Sequence, residues 1–154
     1  MNIFEELEVI YSEIDNYYAQ KELGARNISN SAQEREFSRK RELNDHAYYL
    51  FMFTRFEDHI REESSKLIKQ SQDNITDWNQ RRPWDILPND KRSDKLFFLN
   101  RVALLVDKGS HHYQSIKGYY ELRNTIGHGG TFTTPISIPT VVNDFNQYSS
   151  MLLA

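Results

Sequence analysis

Residues 31–70 read SAQEREFSRKRELNDHAYYLFMFTRFEDHIREESSKLIKQ, forty residues without a Gly or a Pro. Nothing in this run stops a helix, and Tyr49, Phe53, Phe56, Ile60 and Leu67 recur at helical spacing to form one apolar stripe. Ser31-Ala32-Gln33-Glu34 has the Ser-x-x-Glu form in which two side chains satisfy free backbone donors at a helix start. The spacing therefore predicts a helix from Ser31 to about residue 70. At 1.5 Å per residue it would be roughly 60 Å long, so its charged first part (Glu34, Arg35, Glu36, Arg39, Lys40, Arg41) is expected to project, bend or pack on a partner. A dimer would account for the projection.

The flanking sequence has the same period. Upstream, Ile3, Leu7, Ile10, Ile14 and Tyr17 fall on one stripe of a helix over about 2–22, with Gly24 as its stop. Downstream, residues 71–92 carry Asn74, Pro83, Pro88, Asn89 and Asp90 and read as a long irregular connection anchored by Trp78 and Trp84. Ser93 can cap a third helix with Leu96, Leu99, Ala103 and Val106 on its stripe, ending at Gly109. Ser110 can cap a fourth, bearing Tyr113, Ile116, Tyr120 and Arg123, which Gly127-His128-Gly129-Gly130 terminates. Ile138, Val141, Phe145, Tyr148 and Leu152 define a fifth, with Pro139 tolerated in its first turn. Only residues 131–138 look β-like, too little for a sheet. The fold class this predicts is all-α: an up-and-down bundle of about five helices with one long second helix, dimerising, in a single domain over 1–154.

The chain has 154 residues, a formal charge of −3 and no Cys, which excludes disulfides and thiolate zinc sites. The acidic start lacks the form of a signal peptide and no apolar run approaches a membrane span. The expectation is a soluble, cytoplasmic protein without a membrane partner. Charge is uneven: residues 1–30 hold two basic and six acidic side chains, residues 81–128 nine basic and five acidic. The basic excess surrounds Arg123 and could attract an anion.

Polar residues on apolar stripes are the informative exceptions, because burying a charge costs several kcal/mol unless it is paired. Arg123 continues the Tyr113–Ile116–Tyr120 stripe and needs an anion there, whether a structural carboxylate or a ligand. Glu57, between Phe53 and Ile60, and His46, three turns earlier on the same face, are the candidates to answer it. A half-exposed stripe edge for Glu57 and a core histidine for His46 are the alternatives. His128 follows five residues after Arg123, where glycines break the helix. On an ideal helix the pair would point about 140° apart, so convergence needs either local distortion at Gly127 and Gly129 or a second subunit. His111 and His112 are poor metal ligands: adjacent helical side chains diverge by about 100° and no His-x-x-x-His spacing accompanies them. No phosphate-cradling Gly-rich loop or nucleophile elbow is present, so neither metal nor cofactor is expected.

The run Leu122-Arg123-Asn124-Thr125-Ile126-Gly127-His128-Gly129-Gly130 at a helix end resembles the signature of the HEPN superfamily (higher eukaryotes and prokaryotes nucleotide-binding domain), an Arg followed by a polar residue with a His four to six positions on. Phe53-Thr54-Arg55-Phe56-Glu57-Asp58-His59-Ile60 is similar to an aromatic-Glu segment on a long helix of several members. The resemblance implies a helical bundle whose dimer brings two Arg/His motifs to one cleft, in many members a metal-independent endoribonuclease, in some a toxin or defence effector with an antitoxin or other protein partner. On that reading Arg123 and His128 are catalytic, and RNA is the substrate. Asn124, Glu57 and His46 support them. Other members are catalytically inactive modules that bind RNA or protein, the second function the resemblance allows. Toxin members modified by a nucleotidyltransferase tend to carry Tyr two residues after the His, where this chain has Gly130.

Overall fold

The side chain of Asn2 starts the first helix, α1 (Ile3–Asn27). Its Oδ1 accepts the Phe4 and Glu5 amides at 3.0 and 3.1 Å, while the Glu5 carboxylate accepts the Asn2 amide at 3.0 Å. The coordinates are a computed structural model, and residues 2–132 and 135–153 are described. Gly24 does not stop α1. The helix ends in a Schellman turn, with the Asn30 amide on the Ala25 carbonyl (2.9 Å), the Ser29 amide on the Arg26 carbonyl (3.0 Å), and Ser29 at φ 56°. That turn delivers Asn30 as the cap of α2 (Ser31–Asn74), its Oδ1 accepting the Gln33 amide at 3.2 Å. The capping residue is thus Asn30, one position earlier than the Ser-x-x-Glu pattern suggests, because Ser31 is already helical. α2 is a single helix of 44 residues, as the absence of Gly and Pro requires.

The stretch 71–92 is not wholly irregular. Asp77 accepts the Gln80 amide at 3.0 Å and starts the short α3 (Trp78–Asp85), hidden from composition by the turn-forming residues around it. α4 (Phe98–Leu105) begins later than Ser93, whose hydroxyl instead closes a turn on the Lys95 amide (3.3 Å). Ser110 caps α5 (His111–Gly127) through the Tyr113 amide (3.2 Å), and α6 (Ile138–Met151) carries Pro139 in its first turn. The described residues therefore form six helices, with α3 added to the expected five, and no strand. The chain is all-α.

These helices divide between two compact units, Met1–Phe53 with Leu122–Asn146 and Thr54–Glu121 with Gln147–Ala154; α2, α5 and α6 contribute to both. In the first unit Phe4, Tyr49, Met52, Phe53, Val141 and Phe145 are buried, and Phe145 takes Phe4 and Phe53 edge-on at 5.9 and 6.1 Å. In the second Phe56, Ile60, Phe98, Val102, Ile116 and Tyr148 are buried, with Phe98 stacked on Tyr120 at 5.0 Å. Such aromatic pairs add about 0.5–1.5 kcal/mol beyond area burial.

The buried face of α1 differs from the expected stripe. Phe4, Leu7 and Ala25 are buried, whereas Ile10 and Tyr17 are 48% and 55% exposed. The reason is polar. Tyr11 donates to Asp45 Oδ1 (2.7 Å), and Arg41 of α2 grips both oxygens of Asp15 (2.8 and 3.1 Å) and one of Glu22 (3.1 Å). Turning Asp15 and Glu22 toward Arg41 selects the Phe4–Leu7–Tyr11–Tyr18–Ala25 face and leaves Ile10 and Tyr17 outside.

Candidate functional site

Arg123 and Asn124 lie in the last turns of α5, in the first unit. The helix runs intact through Gly127 and does not break up before His128. The His128 amide still bonds the Asn124 carbonyl (3.1 Å), followed by the Gly129 amide on Ile126 (3.0 Å) and the Gly130 amide on Thr125 (2.9 Å). This is a second Schellman turn, with His128 as C-cap and Gly129 at φ 83°. A Cβ on Gly130 would meet the Thr125 carbonyl oxygen at 2.8 Å and its Cγ2 at 2.7 Å. Both glycines are set by backbone geometry, which also explains why no Tyr occupies position 130.

The backbone thus fixes where His128 leaves the helix. Its side chain is exposed and makes no hydrogen bond among the described residues. Arg123 is half-buried, donates Nη1 to Asn124 Oδ1 at 3.1 Å, and forms no ion pair among the described residues. Asn124 orients the guanidinium while leaving its charge uncompensated. With regular helix between them, Arg123 and His128 diverge by about 140°, and no hydrogen bond joins them.

The other two expected supporting residues, Glu57 and His46, occupy different settings. Glu57, in the second unit, is half-buried, and its Oε1 accepts Arg61 Nη2 at 2.7 Å and Nε at 3.2 Å. His46, in the first unit, is buried, its Nε2 without a hydrogen-bond partner among the described residues and its ring at right angles to Phe132 at 4.4 Å. The His111 and His112 rings meet edge-on at 6.2 Å; His111 Nε2 lies 3.3 Å from the Ser115 hydroxyl, and the His112 ring packs at 6.1 Å from Tyr148. No group of three or more residues fit to hold a metal ion occurs among the described residues.

Sequence reasoning missed the arginine that is buried most deeply. Arg101 of α4 is wholly enclosed and donates to the Ser64 and Ser65 hydroxyls (both 3.1 Å) and to the carbonyls of Leu96, Asp90 and Ser93 (3.2, 3.2 and 3.3 Å). Burial and the nearby Arg61 cation push its pKa down from the ordinary arginine value. Its acceptors are neutral, so its work is to tie residues 90–96 to α2. The signal was present in Phe98, Arg101 and Val102 at i, i+3 and i+4, with the small pair Ser64-Ser65 opening space on α2.

No helix among the described residues is long and apolar enough to cross a membrane. No protein-family model, curated protein or solved structure matches the chain.

Proposed function

We propose that this chain is a metal-independent endoribonuclease acting as a homodimer in the cytoplasm, its active site composed of Arg123 and His128 from two copies. The observation that carries the reading is the helix end itself: among the described residues, a guanidinium oriented by Asn124 without a carboxylate and an imidazole without a hydrogen bond on a capped turn. An RNA 2′-hydroxyl attacks the adjacent phosphorus as one His128 takes its proton. The P–O5′ bond breaks as the other His128 protonates the leaving oxygen, giving a 2′,3′-cyclic phosphate and a 5′-hydroxyl. Arg123 holds the phosphate oxygens and stabilises their growing charge, a task that suits a planar fork better than an ammonium. The divergence of Arg123 from His128 within one chain favours a site completed by a second copy.

A surface for that copy is available in the first unit. An open groove of about 290 Å³ is lined by Leu7, Ala47, Tyr48 and Phe51, and the half-exposed Ile3, Ile10 and Leu43 continue the same helix faces. The decisive experiment is cleavage of RNA by purified protein in EDTA. Wild type is expected to cut, and Arg123→Ala and His128→Ala each to lose at least 100-fold in rate without unfolding. Undiminished cutting by both variants rejects the proposal. The same groove favours a second reading, a non-catalytic module that docks a protein or presents RNA. Stable binding without any cleavage would select it.

A further inference from the structure

A hollow of about 470 Å³ in the first unit is walled, among the described residues, by Ser38, Arg41, Glu42, Asp45, Phe132 and Pro135. That volume is in the range of small-ligand sites. Two of its three charged walls are already engaged: Arg41 lies between Asp15 and Glu22, and Glu42 accepts from Arg39. Asp45 differs. Among the described residues it forms no ion pair, and its one hydrogen bond is the Tyr11 hydroxyl on Oδ1 at 2.7 Å, which leaves Oδ2 open to a further donor. Burial pushes its carboxyl pKa up, and the Tyr11 hydrogen bond and the nearby Arg41 charge only partly offset this. Opposite chemistry comes from Phe132, four residues after His128, whose ring is held edge-on by His46 at 4.4 Å and Tyr49 at 5.6 Å. The hollow thus combines a carboxylate with spare acceptor capacity and a flat, immobilised aromatic ring.

We infer that this hollow receives a guanine base of the RNA, with Asp45 accepting from the N1–H and N2 amine and Phe132 packing on the purine. The inference rests on the ribonuclease reading and adds a base preference to it. A carboxylate has about four lone-pair sites, so a two-donor edge can be accepted while Tyr11 stays bound. Adenine offers no such pair of donors. Among the described charged walls, the one cation, Arg41, is already bound to Asp15 and Glu22 while Glu42 and Asp45 are acidic, which disfavours a phosphate and suits a donor edge. An arginine side chain of a protein partner shares the two-donor chemistry; Phe132, a wall suited to an unstacked base, favours the nucleobase.

The test uses RNA 12-mers carrying one guanosine, inosine or adenosine at a scanned position. With wild type, kcat/KM for the guanosine substrate is expected to exceed that for adenosine by about 10- to 100-fold, with inosine, which lacks the N2 amine, between them. Asp45→Asn should lower the guanosine rate to near the adenosine rate. Phe132→Leu, which keeps the carboxylate and removes the flat ring, should weaken guanosine substrates about tenfold. Cleavage without base preference, or a preference both variants retain, overturns the inference and leaves the ribonuclease reading standing. If wild type cuts no RNA, that reading falls and a titration decides the hollow by itself. Asp45-dependent binding of free guanosine over adenosine sustains it, and binding of N-acetylarginine amide in its place overturns it.

Discussion

Arg101 is held entirely by hydroxyl and carbonyl oxygens, so its value to the fold lies in the acceptors it satisfies. Orphaned buried acceptors cost about 1–3 kcal/mol each. Arg101→Met should therefore lower the unfolding free energy by about 3 kcal/mol or more in urea titration, and Arg101→Lys, with fewer donors and no fork, should restore only part of it. Asp45 bears on stability with the opposite sign. Its folded pKa is raised, chiefly by burial, so the native state binds its proton more readily than the unfolded chain. Stability from this group is present in acid and falls as pH rises through the carboxylate range. Asp45→Asn keeps an acceptor for Tyr11 and removes the charge. Its melting temperature should exceed that of wild type at pH 7, and the gap should close at pH 3. Equal gaps at both pH values would contradict the assignment. Arg123, Asn124 and His128 were legible as a candidate site because their relationship is local to one helix end, whereas Arg101 acquires its role from residues 37 positions upstream and 11 positions upstream.

At the scale of elements, the same turn is made twice with different chemistry. The α1–α2 connection places Ser29 at φ 56°, and the end of α5 places Gly129 at φ 83°. Left-handed backbone costs a non-glycine residue roughly 1–2 kcal/mol. Ser29→Gly is therefore expected to stabilise the protein by about 0.5–1 kcal/mol, and Gly129→Ala to destabilise it by about 1 kcal/mol, both read from denaturation midpoints. Gly130→Ala should cost more than Gly129→Ala, because its Cβ collides with the Thr125 carbonyl, and by shifting the cap it should also reduce cleavage. Caps were partly visible in sequence: Ser110 acts as its hydroxyl suggests, but Asn30 replaces Ser31 once the preceding Schellman turn sets the start of α2. The eight-residue α3 was obscured because Pro83 sits inside it and turn formers surround it.

At the scale of the whole molecule, the proposed composite active site predicts that activity depends on association. Phe51→Glu combined with Ile10→Glu places charge on one exposed residue lining the apolar groove and one on the α1 face that continues it, both outside the buried core. Sedimentation should find wild type dimeric and this variant monomeric, with helical circular dichroism preserved and RNA cleavage lost. A monomer that cuts RNA at the wild-type rate would dismiss the two-copy site. The amino-acid sequence by itself determined that the chain is helical, that 40 residues from Ser31 run without interruption, and that one helix ends in Arg-Asn followed by His-Gly-Gly. These properties depend on side-chain period, on Gly and Pro, and on interactions within a few residues. Only the tertiary structure decided which face of α1 is buried, which arginine is enclosed, and that the half-buried Asp45 forms no ion pair among the described residues. Arg41 turns α1, Ser64 and Ser65 admit Arg101, and Asp45 is bonded by Tyr11 while Arg41 pairs with Asp15 and Glu22. Each outcome is a competition among polar partners distant in sequence, and local periodicity carries no record of which partner wins.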